Sequence, residues 1–147
     1  MRTRLARSAG ACAVAVLAVV LSSCGDGRVK VYPVQGKVVD EKGKPAAGAM
    51  VMFHPVNPPG GNVEAVVGTA DTEGVYRLTT YTAGDGAPTG QYVVTVCWYE
   101  PKKTPFGPTP KDILCGKYAS REGSQIKFSV EPTAGNEMPL ITVRIPR

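Results

Sequence analysis

Short segments of alternating apolar and polar residues follow one another from Val29 onward, and residues of the turn-forming types Gly, Pro, Asp and Asn separate them. A period of two is typical of half-buried β-strands, and no helical period lasts longer than a turn or two. The pattern predicts seven strands, near residues 34–38, 49–53, 63–70, 76–80, 91–98, 126–130 and 141–145. Because each half-apolar sheet must cover its inner face with another, we expect an all-β, seven-stranded antiparallel β-sandwich.

Residues 91–98 carry the strongest strand pattern in the chain. Tyr92, Val94, Val96 and Trp98 alternate there, and a period of two places all four on one face. We therefore assign these four side chains to the core, with the neighbouring cysteine on the opposite face or at the end of the strand.

The segment from about 100 to 124 breaks the alternating pattern. It contains four prolines and no sustained period, which predicts a long, partly ordered insertion in the domain. Its lysines make it locally basic. Contact with anionic lipid or wall polymer is one interpretation, and a solvated loop is the simpler one.

The amino terminus has the layout of an export signal. Three arginines precede an uncharged run over residues 9–21 that is almost wholly Ala, Val and Leu. This run is too short for a permanent span, which needs roughly 20 apolar residues. The following Leu21-Ser22-Ser23-Cys24 resembles the bacterial lipobox, with small residues before an obligatory cysteine.

The lipobox resemblance implies that Cys24 is joined to diacylglycerol and further acyl chains such as palmitate, after cleavage just before it. We therefore predict a signal peptide at 1–23, a lipidated cysteine and tether at 24–32, and a β-sandwich domain at 33–147. Each buried methylene contributes about 0.8 kcal/mol, so two or three acyl chains would hold a small domain on a bilayer. The expected location is a membrane-anchored lipoprotein of the periplasm or cell surface. An ordinary signal peptide is the alternative.

Composition limits the partners. Without the three signal arginines, the formal net charge falls from +5 to +2. Charges of both signs are interspersed and no arginine-rich stripe is present, so we expect no nucleic-acid partner. The remaining chain suits a single domain, and we expect a monomer.

Two cysteines follow Cys24 in a chain predicted to reach a compartment where disulfides persist. A Cys97–Cys115 disulfide is the first interpretation and two buried thiols are the alternative. We expect no metal site, because two cysteines and the single His54 do not form a recognisable ligand spacing.

Three stretches resemble the carboxypeptidase regulatory-like domain, which has a prealbumin-type (transthyretin-like) sandwich. The first is a turn and strand of the type Gly-x-Pro-x-x-Gly-Ala-x-Val. The second is an Asp-x-x-Gly turn before an aromatic-x-Leu strand, and the third is a Gly-x-Tyr-x-Val-x-Val strand. The matching residues are Gly43, Pro45, Gly48, Ala49 and Val51, then Asp71, Gly74, Tyr76 and Leu78, then Gly90, Tyr92, Val94 and Val96. With the lipobox, the chain is similar to small bacterial envelope lipoproteins, most of which have no defined activity. Gly43 and Gly74 suit turns with unusual φ, and Tyr92 suits a tyrosine-corner hydrogen bond.

Catalytic residues are not recognisable in the pattern. His54 is the only histidine, and Ser120, Ser124 and Ser129 lie outside any nucleophile-elbow context. The prealbumin-like family includes a urate-pathway hydrolase, but its terminal Tyr-Arg-Gly-Ser signature has no match in "ITVRIPR". We therefore expect no enzyme activity.

Turn carboxylates and aromatic residues are the other candidates for ligand binding. Asp40, Asp71, Glu73 and Asp85 could hold Ca²⁺, although turn-forming bonds to their own backbone explain them more simply. Tyr81, Tyr99 and Phe106 could offer stacking faces to a sugar. The sequence thus favours a lipid-anchored, non-enzymatic structural or interaction module of the envelope, with no cofactor beyond the acyl lipid. The alternative is a carbohydrate-binding module for cell-wall or extracellular polysaccharide.

Overall fold

Ten β-strands make up the regular structure of residues 27–58, 64–99 and 109–146, which are the residues that the computed structural model describes. In chain order they are β1 Val31–Tyr32, β2 Val34–Asp40, β3 Met50–Pro55, β4 Val66–Thr69, β5 Val75–Arg77, β6 Ala87–Pro88, β7 Gly90–Cys97, β8 Lys127–Val130, β9 Asn136–Glu137 and β10 Ile141–Val143. Within these described ranges the chain forms no helix, so the all-β prediction is confirmed for them. They also contain no helix long and apolar enough to cross a membrane.

Two four-stranded sheets and one two-stranded sheet contain these strands. One large sheet has the order β4-β3-β7-β8 and is antiparallel throughout. The other has the order β10-β2-β5, with β9 also paired to β2. The small sheet joins β1 to β6. Apolar side chains from both large sheets meet in one buried cluster.

The strand count and the strand directions differ from the sequence prediction. The structure has ten strands in the described residues where we expected seven, because β1, β6 and β9 are two residues long and too short to show an alternating pattern. Two pairings are parallel, β2 with β9 and β2 with β10, where we expected antiparallel pairs only. After β8 the chain crosses to the other sheet, and such a crossing does not impose the reversal that a hairpin does.

Phe53 lies at the centre of the core. Its ring centroid is 5.9 Å from those of Tyr92 and Phe128 and 6.4 Å from that of Tyr76. Tilted and edge-on aromatic pairs at these distances each add about 0.5–1.5 kcal/mol beyond their buried area. The core assignment of Tyr92, Val94 and Val96 is confirmed, and Trp98 is half-buried against the same cluster.

Turn chemistry fixes the ends of several strands. Asp40 accepts backbone hydrogen bonds from Lys42 (2.8 Å) and Lys44 (2.9 Å) through one carboxylate oxygen. Gly43 and Gly74 adopt φ of +78° and +77°, as the turn interpretation of the sequence predicts. At Gly74 a Cβ would also lie 2.5 Å from a backbone carbonyl oxygen, so only glycine fits there.

Residues 109–126, which include the described part of the predicted insertion, pack on β7. The side chain of Leu114 is fully buried and belongs to the core cluster. Asp112 holds this segment against the end of β7, because its carboxylate accepts hydrogen bonds from the backbone amides of Trp98 (2.9 Å), Leu114 (3.1 Å) and Gly116 (3.0 Å). Residues 100–108 lie outside the described part of the chain.

Candidate functional site

The segment that follows the predicted lipidation site contacts the domain. Cys24 itself lies outside the described residues. From Gly27 onward, the amide of Val29 donates to the Tyr81 hydroxyl over 3.1 Å, and the Arg28 guanidinium carbon lies 5.3 Å from the Tyr81 ring centroid. Val31 and Tyr32 then pair with β6. The described part of the predicted tether is therefore attached to the loop formed by residues 80–86, which we call the docking loop.

Asp85 organises the docking loop. Its carboxylate accepts hydrogen bonds from the backbone amides of Thr80 (2.8 Å), Tyr81 (2.9 Å) and Thr82 (2.9 Å). Partial burial acts to raise the pKa of Asp85, but these backbone hydrogen bonds outweigh it and hold the pKa below the ordinary value. The loop is thus preformed to present the Tyr81 hydroxyl.

Gly86 closes the contact between the docking loop and the amino-terminal segment. Its φ is +102°, and a Cβ at this position would lie 1.7 Å from the carbonyl oxygen of Tyr32. Real Cβ atoms never approach backbone oxygen so closely, so β1 can lie on the loop only because residue 86 is glycine.

A cleft of about 230 Å³ opens beside the docking loop. Its lining includes Gln35, Arg77, Gly84 and Glu137. The Gln35 amide nitrogen donates to the Glu137 carboxylate over 3.1 Å. Opposite charges from Arg77 and Glu137 thus lie in one shallow cleft, beside the residues at which the amino-terminal segment enters the domain.

The exposed tyrosines predicted to stack on a sugar lie far apart. Tyr81 is 38% exposed and Tyr99 is 43% exposed. Tyr81 belongs to the loop that leads to β6 and β7, whereas Tyr99 lies two residues beyond Cys97, the last residue of β7. Thr79, two residues before Tyr81, bridges to β4, and β4 and β3 separate it from β7 by three strand spacings, or about 14 Å, so the two rings do not form one binding platform. Phe106, the third predicted aromatic residue, lies outside the described residues.

His54 contacts a threonine and none of the serines considered above. Its Nε2 lies 2.9 Å from the Thr95 hydroxyl oxygen, and the Thr95 side chain is fully buried. Burial lowers the pKa of His54 and the nearby Arg121 guanidinium lowers it further, while the Glu122 carboxylate opposes both. A substrate cannot reach the buried Thr95 hydroxyl, so the contact between His54 and Thr95 joins β3 to β7 and does not form a reactive pair.

The cysteines of the predicted disulfide and the turn carboxylates considered for Ca²⁺ do not form a common site in the described residues. Cys97 is buried and Cys115 is exposed, and both are free thiols in the structure; their disulfide stays a prediction. Asp71 accepts hydrogen bonds from amides of its own turn, as Asp40 and Asp85 do. Across the described ranges, no three His, Cys, Asp or Glu side chains form a cluster that could hold a metal ion by themselves.

Comparison with known protein families and with curated proteins finds no match to this sequence. Among solved structures, it is similar to a 9R-lipoxygenase from Cyanothece PCC8801, with 11% identity over 78% of this chain and 16% of that one, at a TM-score of 0.42. It is also similar to an (S)-allantoin synthase, with 20% identity over 80% of this chain and 42% of that one, at a TM-score of 0.41. The third similar structure is that of a Pseudomonas aeruginosa protein provisionally described as carbohydrate-binding. Its identity to this chain is 11% over 79% of this chain and 89% of that one, at a TM-score of 0.38. At such TM-scores none of these likenesses identifies a function for this chain.

Proposed function

We propose that this chain is a lipid-anchored module of the bacterial envelope. In this proposal Cys24 carries diacylglycerol, and residues 33–147 form a β-sandwich of the carboxypeptidase regulatory-like type that acts as a non-enzymatic structural or interaction module. Its location would be the periplasm or the cell surface, and its partner, besides the membrane, an envelope protein.

The contact between the amino-terminal segment and the docking loop carries the proposal. Three residues, Gly25 to Gly27, separate Cys24 from Arg28. An extended chain spans at most about 3.6 Å per residue, so Arg28 would lie within about 15 Å of the lipid-bearing residue. A lipid on Cys24 would therefore bring the docking loop and Tyr81 close to the bilayer surface. A basic residue beside a tyrosine is a common pair at such interfaces.

The engagement of the polar side chains supports a non-enzymatic role. The carboxylate oxygens of Asp40, Asp71 and Asp85 accept hydrogen bonds from backbone amides of their own turns. His54 contacts a fully buried threonine hydroxyl. In the described residues these groups stabilise loops and strands, which is the pattern expected of a binding scaffold rather than of an acid–base site.

Replacement of Cys24 by Ala tests the anchor. We expect a precursor that keeps its signal peptide and takes up no fatty-acid label in cells. Cys12→Ala is the matched control, because this cysteine lies within the predicted signal and should leave lipid labelling and mature size unchanged. A Cys24→Ala protein of normal mature size, with unchanged labelling, would overturn the proposal.

A second candidate function is binding of cell-wall or extracellular polysaccharide. The observation that favours it is the exposed ring of Tyr99, two residues beyond the end of β7. Stacking needs the ring and not the hydroxyl, so Tyr99→Ala should abolish glycan binding and Tyr99→Phe should keep it. An absence of binding across a broad panel of glycans would contradict this alternative.

A further inference from the structure

The outer face of β3 carries a row of metal-binding side chains. Met50, Met52 and His54 are all half-buried and point to the same face, whereas Val51 and Phe53 point into the core. Residues two positions apart on a strand lie about 6.7 Å apart, which is within the joint reach of two flexible methionine side chains.

Strand pairing adds a third sulfur to this row. Met50 lies directly opposite Cys97 of β7, and Met52 lies opposite Thr95. Directly opposite residues have Cβ atoms about 5 Å apart and diagonal neighbours about 7–8 Å apart. The Cβ atoms of Met50, Met52 and Cys97 therefore form a small triangle, and a point above its centre lies within reach of all three sulfurs.

This part of the outer face is shielded from water. Cys97 is 6% exposed and Thr95 is fully buried, although both lie on the side of β7 that faces away from the core. One buried thiol and two half-buried thioethers thus form a set of soft donors on this face.

We propose that Met50, Met52 and Cys97 bind one Cu⁺ ion. Thioether and thiolate sulfur select Cu⁺ over harder ions, and three sulfur donors suit its low coordination number. On binding, the Cys97 S–H bond breaks, a Cu–S bond forms and the proton passes to solvent, while copper and sulfur keep their oxidation states. Cys115, on the exposed surface, takes no part. The proposal is independent of the lipid anchor.

His54 lies outside the donor set. It is paired with Val93, four residues from Cys97 along β7, and its Nε2 contacts Thr95. The Nε2 atom of His54 is thus engaged by the Thr95 hydroxyl and is not counted among the donors. An all-sulfur donor set distinguishes the proposed site from a mixed histidine–thiolate site, which would select other ions.

The test is competition for Cu⁺ between the reduced protein and a chromophoric chelator under anaerobic conditions. We expect one Cu⁺ per chain and X-ray absorption spectra with sulfur donors only. Met50→Leu/Met52→Leu conserves side-chain volume and should weaken binding at least tenfold. Cys97→Ser should do the same, and circular dichroism would confirm that both variants fold.

Three variants serve as controls. Cys115→Ser, His54→Gln and Met138→Leu change a thiol, an imidazole and a thioether outside the site, and each should bind Cu⁺ as the unaltered chain does. Loss of binding in Cys115→Ser would overturn the proposal, because it would indicate capture by an exposed thiol. Unchanged binding in Met50→Leu/Met52→Leu would overturn it as well, and so would nitrogen donors in the absorption spectrum.

Discussion

The hydroxyl of Tyr92 donates a hydrogen bond of 2.7 Å to the backbone carbonyl of Pro88, and both residues are buried. This is the tyrosine-corner contact that the sequence predicts. Tyr76 offers a contrast in the same core. It is equally buried at 1% exposure, yet its hydroxyl has no partner among the described residues and lies against the backbone of Gly36.

Removal of the two hydroxyls should have opposite effects on stability. Tyr92→Phe leaves a buried carbonyl without its donor and should lower the free energy of unfolding by about 1–2 kcal/mol. Tyr76→Phe removes an unpaired buried hydroxyl and should be neutral or stabilising by up to about 1 kcal/mol. Urea unfolding of the two variants measures both changes, and an equal loss in each would contradict the contrast.

The same two tyrosines should make the protein sensitive to alkaline conditions. Burial raises the pKa of Tyr92 to about 12, and burial also raises that of Tyr76. The folded protein keeps both protons after the unfolded chain has lost them. Their contribution is therefore complete below about pH 10 and is lost as the pH rises toward 12. Urea unfolding from pH 8 to 11.5 should show a shallower decline for Tyr76→Phe, and identical declines would contradict this assignment.

Gly86→Ala should release the amino-terminal segment from the docking loop. The added methyl group would overlap the Tyr32 carbonyl, so β1 must move away. Gly48→Ala is a matched control, because Gly48 has a similarly positive φ with open space around it and should cost only backbone strain, of order 1–3 kcal/mol. Limited trypsin digestion after Arg28 and Lys30 measures release. Equal cleavage rates in both variants would argue against a docked segment.

Leu114→Ala should destabilise the domain by about 2–5 kcal/mol, because it leaves a cavity in the core. Leu140→Ala is the surface control. This side chain is 59% exposed, and its loss should change the free energy of unfolding by at most about 0.5 kcal/mol. Denaturant unfolding compares the two. A small effect at Leu114 would mean that residues 109–126 are dispensable for folding.

The predicted Cys97–Cys115 disulfide and the proposed copper site exclude one another, since both use the Cys97 sulfur. If the disulfide forms in the export compartment, protein isolated without reductant should show no free thiol at either position and should bind no Cu⁺, and reduction should restore both thiols and the metal binding together. If it does not form, the unreduced protein should already show two free thiols and bind one Cu⁺. Thiol titration in denaturant provides the count, and two free thiols before reduction would rule out the disulfide.

Local signals in the sequence predicted part of this structure. The Asp-x-x-Gly turns and the alternation in β7 depend on neighbours within a few residues, so Asp71, Gly74 and Tyr92 could be assigned their positions. Leu114 could not be, because its burial depends on the path of a proline-rich segment without a period. The opposition of Met50 and Cys97 depends on strand register, which joins residues far apart in the sequence.

The pairing of β1 with β6 also determines how the proposed anchor would carry load. A pull on Cys24 would reach the domain through Val31 and Tyr32, and this two-stranded sheet is separate from the two larger ones. Under tension the short pairing would therefore separate before the core strands do. Release of residues 27–32 would lengthen the link by at most about 20 Å. The module could thus extend its reach from the bilayer while its core stays folded.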